Sequence, residues 1–264
     1  MLALNDKTAI ITGSSAGIGK GIAVRFAELG AHVVVTSRTL AQARKVVDGI
    51  RQEGGQATPC AFDLEDPAAI PTLLATAADI TGRIDILVNN ALSRSTMPRV
   101  PLQGISLAQL QTGVAANLTN VLALTAAVHP YLQATQGVVL NIGSAVVNRH
   151  MLGIPLYTIL KGALAQASRV LAAEWAGDGI RVNQINPGFV RTADSLTARQ
   201  AVEYTPKIIE HFAKLHPIGR GGEVDDIAAL AAFLVCGQAS WITGAIVDID
   251  GGFSVQGALF PTAG

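Results

Sequence analysis

Tyr157 and Lys161 stand four residues apart in a run, 155–176, whose spacing of apolar residues predicts a helix, so both side chains leave one face. Ser144 precedes the tyrosine by thirteen positions, just past an apolar run, Val138 to Ile142, that reads as a strand. A phenol has an ordinary pKa of about 10 and is a poor proton donor or acceptor at neutral pH unless something shifts it. A neighbouring ammonium favours the phenolate and draws the group toward the working range. A serine hydroxyl fixed by a strand end can hold the carbonyl oxygen that takes the proton. By itself Y-x3-K arises by chance in many chains. What gives it weight is the company it keeps.

That company begins near the N-terminus, where Thr12-Gly-Ser-Ser-Ala-Gly-Ile-Gly19 joins a buried strand to a helix. Glycine there permits a tight turn and close approach of a ligand, and the helix end offers free N–H groups to a pyrophosphate. The spacing is G-x3-G-x-G and the motif alone is weak, since many glycine-rich turns are only turns. Its place after the first strand makes it a candidate dinucleotide site built from Gly13, Ser15, Gly17, Ile18 and Gly19. About twenty residues further on, such sites often carry a carboxylate for the adenosine ribose. Here the residues are Ser37-Arg38-Thr39, with no acid. A guanidinium beside hydroxyls suits a 2′-phosphate, so NADP(H) is expected in preference to NAD(H). Arg38 carries that expectation without help, because the glycine turn contains no basic residue.

The elements that must position these groups are legible as alternating runs. Strands are expected at 8–12, 32–36, 57–62, 84–88, 138–142, 180–185 and 245–249, with helices near 17–29, 39–53, 67–80, 106–134, 155–176 and 223–235. Asp66-Pro67 reads as a cap with proline at the first helical position. Strands apolar on both faces, separated by helices of ten or more residues, imply a parallel sheet covered on both sides. No repeat or linker interrupts them, so one doubly wound α/β domain spanning 1–264 is expected.

Composition narrows the classes. Half of the 264 residues are apolar and 14% are charged, too hydrophobic for a disordered chain. Lysine plus arginine, 19, balance aspartate plus glutamate, 19, so no electrostatic footprint for nucleic acid is present. Cys60 and Cys236 lie far apart in apolar surroundings, as buried free thiols of a reducing compartment would. No secretory signal is visible, no metal site is read, and a cytoplasmic protein is expected. From Val100 to Asn148 there is no Asp, Glu, Lys or Arg. Asn117, Thr119, Asn120 and Thr125 interrupt its most apolar window, so burial against the sheet and a second subunit is expected rather than a bilayer span.

Taken in order, these residues resemble the classical short-chain dehydrogenases/reductases over nearly the whole chain. The likeness rests on T-G-x3-G-I-G, Asp63 after the third strand, Asn89-Asn90-Ala91 after the fourth, and Asn117. It continues through Ser144, Tyr157, Lys161, Pro187-Gly188, Thr192 and Asp250-Gly251-Gly252. The resemblance implies one Rossmann-type domain with a seven-stranded parallel sheet. It implies Tyr157 as proton donor in reduction and base in oxidation, Lys161 on the nicotinamide ribose lowering the tyrosine pKa, and Ser144 orienting the substrate oxygen. Asn117 would hold a water in a proton relay. Asp63 and the backbone of Leu64 would touch adenine, Asn90 and Ala91 the ribose, and Pro187, Gly188, Val190 and Thr192 the nicotinamide. Blander roles stay open: Asp63 as a solvated acid, Asn117 bonding a backbone carbonyl, Ser144 as a strand-end hydroxyl. Leu92 departs from the family, which usually has glycine there, and so bears on substrate shape.

The substrate pocket should form from 92–97, 146–154 and an insertion near 190–220 that reads either as a lid or as a packing helix, with Leu196, Val202, Tyr204, Ile208, Ile209, Phe212 and Leu215 apolar. Arg94, Arg149 and His150 could meet an acidic or phosphorylated group, or simply be solvated. The expected activity is NADPH-dependent reduction of a small-molecule carbonyl by a homotetramer or dimer, with no nucleic-acid or membrane partner. Oxidation of an alcohol by the same residues is the alternative, and a non-catalytic dinucleotide-binding regulator is the rival from another class.

Overall fold

In the computed structural model, which describes residues 2–192 and 206–257, the apolar runs become strands. They are β1 (Thr8–Ile11), β2 (His32–Ser37), β3 (Gln56–Ala61), β4 (Ile86–Asn89), β5 (Val138–Ile142) and β6 (Arg181–Pro187), then the two-residue β7 (Val190–Arg191) and β8 (Gly222–Glu223), and β9 (Ile246–Ile249). Seven of them form one sheet in the order β3-β2-β1-β4-β5-β6-β9, every neighbouring pair parallel. β7 and β8 pair with each other outside it. The helices are α1 (Gly17–Glu28), α2 (Leu40–Gln52), α3 (Ile70–Thr81), α4 (Leu107–Val114), α5 (Asn120–Thr135), α6 (Pro155–Trp175), α7 (Pro206–Lys214) and α8 (Val224–Val235).

The alternation of side chains along each strand divides the core in two. Ala9, Ile11, Val33, Val35, Ile86 and Val88 pack with α1, α2 and α8 on one face. Ile10, Val34, Leu87, Val139 and Val182 pack with α3, α5 and α6 on the other. Strand order reverses between β1 and β4, and a ligand crevice opens beyond the strand ends at such a switch point. The glycine turn after β1 and Asn90 after β4 flank it. Both cysteines are free and buried, as expected.

The uncharged stretch is not one helix. α4 starts on a capping box, Ser106 accepting from the Gln109 N–H and the Gln109 side chain accepting from that of Ser106. It ends at Val114, a wider π turn covers Ala115–Thr119, and α5 follows. The extra residue lets Asn117 turn inward to hold a neighbouring loop, as π turns at functional sites often do. Asp66 does cap, accepting from the Ala68 N–H, but it opens a 3-10 turn, Pro67–Ala69, ahead of α3. No helix among the described residues is long and apolar enough to cross a membrane.

Candidate active site

Thr12 ties the two sides of the crevice together. Its hydroxyl donates to the Val88 carbonyl (3.2 Å) and accepts from the N–H groups of Asn90 (2.9 Å) and Ala91 (3.0 Å). The Asn90 side-chain amide returns the contact, donating to the carbonyls of Thr12 (2.9 Å) and Gly13 (3.1 Å). Gly13 has φ +63°, and a Cβ there would lie 3.0 Å from the Ala91 Cα. At Gly19 a Cβ would lie 2.4 Å from the Asn90 amide nitrogen and 2.6 Å from the Gly13 carbonyl. The glycines are therefore needed for close packing of the turn against Asn90. α1 begins at Gly17 with no side-chain cap, Ala16 standing at its N-cap, so its first N–H groups face the crevice unclaimed by a side chain. The cradle fits a dinucleotide pyrophosphate. Asn90 and Ala91, expected beside the ribose, stand here as braces of the turn.

At the far end of the crevice, Ser37 donates its hydroxyl proton to Gln42 (2.8 Å) and can then only accept. Arg38 is exposed, with no hydrogen bond or ion pair to another described residue. Asp63 accepts the Glu65 N–H on one oxygen (3.0 Å), which leaves the other free for a ligand. The Leu64 carbonyl is held by the Asn120 amide (2.8 Å) while its side chain is buried, so both residues stand fixed at the crevice rim.

Pro155 opens α6, and Tyr157 and Lys161 do share a face, the Lys161 Nζ lying 5.9 Å from the centre of the Tyr157 ring. The ammonium is buried and donates to the Ile142 carbonyl at the end of β5 (2.6 Å). Loss of hydration lowers its pKa to about 8. Burial pushes the Tyr157 phenol upward; hydrogen bonding to the Ser144 side chain and the charge of Arg94 pull the other way. The Ser144 N–H donates to the Asn186 side-chain oxygen (3.2 Å), and Ser144 caps the 3-10 turn Ala145–Val147.

Asn117 is fully engaged. Its oxygen accepts from the Ser93 N–H (2.8 Å), and its amide donates to Thr96 Oγ1 (2.8 Å) and to the carbonyls of Gly113 (3.2 Å) and Ser93 (3.3 Å). This side chain shapes the loop that follows β4.

Around the mouth, Leu92 is half-buried, and Met97 packs on a small cluster of Ile105, Leu156 and Leu160. Arg149 is engaged within the chain: it donates to the Phe253 carbonyl (2.8 Å) and to Gln256 (2.7 Å), and stacks over the Phe253 ring. His150 leans on the Val146 carbonyl (3.4 Å). Arg94 remains as the exposed cation whose charge reaches the phenol.

Residues 193–205, including Leu196, Val202 and Tyr204 of the expected lid, lie outside the described residues. Beyond them, α7 stacks Phe212 on Phe189 at 4.3 Å. His216, which the sequence did not single out, is buried; it donates Nδ1–H to the Phe212 carbonyl (2.6 Å) and accepts the Phe189 N–H on Nε2 (3.0 Å). It thereby clips α7 to the Pro187-Gly188-Phe189 turn, where a Cβ on Gly188 would lie 2.7 Å from His216 Nε2. Val190 follows in β7, paired with Gly222, and Thr192 comes just after.

A family model described as enoyl-(acyl carrier protein) reductase matches residues 13–254. The chain is 36% identical over 252 residues to the 7alpha-hydroxysteroid dehydrogenase of Escherichia coli, covering 95% of each chain. Among solved structures, a 7 alpha-hydroxysteroid dehydrogenase complexed with NADH and 7-oxo glycochenodeoxycholic acid superposes with a TM-score of 0.87 at 36% identity, over 95% of both chains. A 3-ketoacyl-(acyl-carrier-protein) reductase from Brucella melitensis complexed with NADH gives 0.83 at 32%, over 96% of this chain and 100% of that one. With its seven-stranded parallel sheet and its Ser144, Tyr157 and Lys161 gathered past β5, the chain belongs to the classical short-chain dehydrogenase/reductase family of oxidoreductases.

Proposed function

We propose that the chain reduces a ketone or 3-oxoacyl-type carbonyl to an alcohol with NADP(H), Tyr157 giving the proton. The observation that carries this is the Tyr157 phenol hydrogen-bonded with the Ser144 side chain, with the buried Lys161 ammonium 5.9 Å from its ring and bonded to the end of β5. A nicotinamide dinucleotide held there would supply the hydride. Gly13, Ser15, Gly17, Ile18 and Gly19 with the start of α1 would hold its pyrophosphate, Arg38 a 2′-phosphate, and Asp63 with the Leu64 backbone its adenine. Lys161, Asn90 and Ala91 would hold the nicotinamide ribose, and Pro187, Gly188, Val190 and Thr192 the ring itself.

The chain's own part is positioning and proton supply. Burial keeps the phenol protonated through neutral pH, so Tyr157 is ready as an acid in the reducing direction. Ser144 fixes the substrate oxygen against it. Lys161 is an ammonium below a pH of about 8 and can bond ribose hydroxyls. Leu92 narrows the pocket edge, and the segment 190–220 would close over the substrate as a lid, with α7 as its described part.

Exposed apolar side chains on α4 and α6, Val114, Ile159 and Val170, support association of copies into a homotetramer or dimer. The two unpaired, buried thiols support a reducing, cytoplasmic setting. The test is consumption of NADPH and NADH with a carbonyl panel spanning a 7-oxo steroid, a 3-oxoacyl thioester and small cyclic ketones. Turnover with NADPH, lost selectively in Arg38→Leu, is expected. Equal loss with both cofactors removes the 2′-phosphate assignment, and silence of the wild type with every carbonyl would favour the non-catalytic regulator.

A further inference from the structure

We propose that Asn186 is a positioning residue for the proton-transfer site: from the end of β6 it fixes the main chain of Ser144, and through it the serine hydroxyl beside Tyr157. The inference rests on the catalytic reading of Ser144 and Tyr157 given above. Gln184 and Asn186 occupy alternate positions of β6 and so share one face with the apolar Val182. Both are completely buried. Two amides in a sheet core cost free energy unless every polar atom is bonded, so their retention calls for a reason.

The bonds supply it. The Asn186 side-chain oxygen accepts the Ser144 N–H (3.2 Å) and the Gln184 Nε2–H (2.8 Å). The Asn186 amide donates to Asp248 Oδ1 on β9 (2.9 Å), the one carboxylate it meets, which fixes the orientation of the amide. Asp248 Oδ2 accepts in turn from Asn148 Nδ2 (2.7 Å), the residue directly after the turn that Ser144 caps. Gly143 leaves room for this: a Cβ there would lie 2.1 Å from the Asn186 oxygen and 2.3 Å from Gln184 Nε2. Toward the centre of the sheet the chain of bonds continues. Ser168, whose hydroxyl proton goes chiefly to the Leu164 carbonyl (2.8 Å), also approaches Gln184 Oε1 (3.4 Å); Asn141 donates to Ser168 (2.8 Å), and Asn89 to Asn141 (2.8 Å) and Thr125 (2.9 Å). Ser144 is therefore anchored to β6 and β9 by a rigid relay of amides that ends on a carboxylate.

Because the Ser144 hydroxyl favours the Tyr157 phenolate, loosening its anchor should displace the phenol titration upward; Arg94 and Lys161 are the charged groups facing that phenol, and neither touches Asn186. The test compares Asn186→Ala, Asp248→Ala and the exchange Asn186→Asp with Asp248→Asn. The exchange keeps an acceptor for the Ser144 N–H and restores a donor–acceptor pair between the two positions. Two readouts are taken. The first is ultraviolet titration of phenolate absorbance, assigned by its loss in Tyr157→Phe and tractable in a chain with three tyrosines. The second is kcat against KM with the pH profile in the oxidising direction.

In Asn186→Ala the expected result is a kcat lower by about 10²-fold, the effect of a misplacement of about 1 Å at a reacting group, with KM for the cofactor unchanged. The acid limb and the phenolate titration both move to higher pH. Asp248→Ala, altered on an exposed side chain, moves them the same way by less, and the exchange restores most of both. An unmoved titration in both alanine variants overturns the proposal. So does a kcat loss that the exchange fails to recover while the fold is intact. If instead Ser144→Ala itself leaves kcat unchanged, or no carbonyl is turned over, the catalytic reading fails, while the phenolate titration still reports whether Asn186 places Ser144.

Discussion

Replacing Lys161 with methionine should separate what this side chain does for folding from what it does for activity. Methionine fills nearly the same volume without a charge. Burial takes the lysine pKa from 10.5 to about 8, and each pKa unit corresponds to about 1.4 kcal/mol, so holding the ammonium inside costs about 3 kcal/mol at neutral pH. Against that gain stands the lost bond to the Ile142 carbonyl, which leaves a buried acceptor unpaired at about 1–3 kcal/mol. At pH 7 the variant should be as stable as the wild type or up to about 2 kcal/mol more stable, by the difference of those two.

The pH dependence decides. The unfolded lysine keeps its proton up to about pH 10.5 and the folded one only to about 8, so between these values the unfolded state binds more protons and wild-type stability rises with pH. Methionine has no such gain, so the wild type should advance on the variant by about 2.5 kcal/mol from pH 8 to 10.5. Urea unfolding of both proteins at pH 7, 8, 9 and 10.5 measures it. A stability difference that stays constant across that range would refute the reasoning, because the lysine would then be no more desolvated in the fold than outside it. Turnover should fall in the variant at every pH.

Gly19→Ala should weaken dinucleotide binding and lower stability by about 1–3 kcal/mol, since a methyl group there meets Asn90 and the Gly13 carbonyl; a variant matching the wild type in Tm and Kd would contradict that crowding. Arg94→Ala should raise the pH at which Tyr157 ionises, because the Arg94 charge favours the phenolate, and the acid limb of the oxidising profile reads this directly. Arg149→Ala should leave that limb and substrate KM alone and lower Tm, as befits a clamp on Phe253 and Gln256.

Much of this site was legible because its signals are local. Four-residue spacing places Tyr157 and Lys161 on one side of α6 whatever the rest of the chain does, and a glycine turn after an apolar strand announces a crevice. The break at Ala115–Thr119 gave no such signal: it has neither proline nor glycine, and it forms because Asn117 finds partners in a loop some twenty residues away. Arg149 read either as a contact to an acidic group or as a solvated cation because its partners, Phe253 and Gln256, lie more than a hundred residues along the chain. The amide relay from Asn89 to Asp248 hid for the same reason. Each member reads alone as an odd polar residue, and it takes the parallel register of β4, β5, β6 and β9, with Ser168 of α6 packed on the sheet, to bring them into bonding distance. His216 was missed as a lone histidine in a run of loop residues, though it joins α7 to the turn after β6.

The most direct measurement is Tyr157→Phe, assayed side by side for dinucleotide binding by fluorescence titration and for reduction of the best carbonyl found in the panel. Removing the proton donor while keeping the ring should leave Kd within about twofold and lower kcat by about 10²–10⁴-fold. A phenylalanine variant that turns over at the wild-type rate would contradict the account outright.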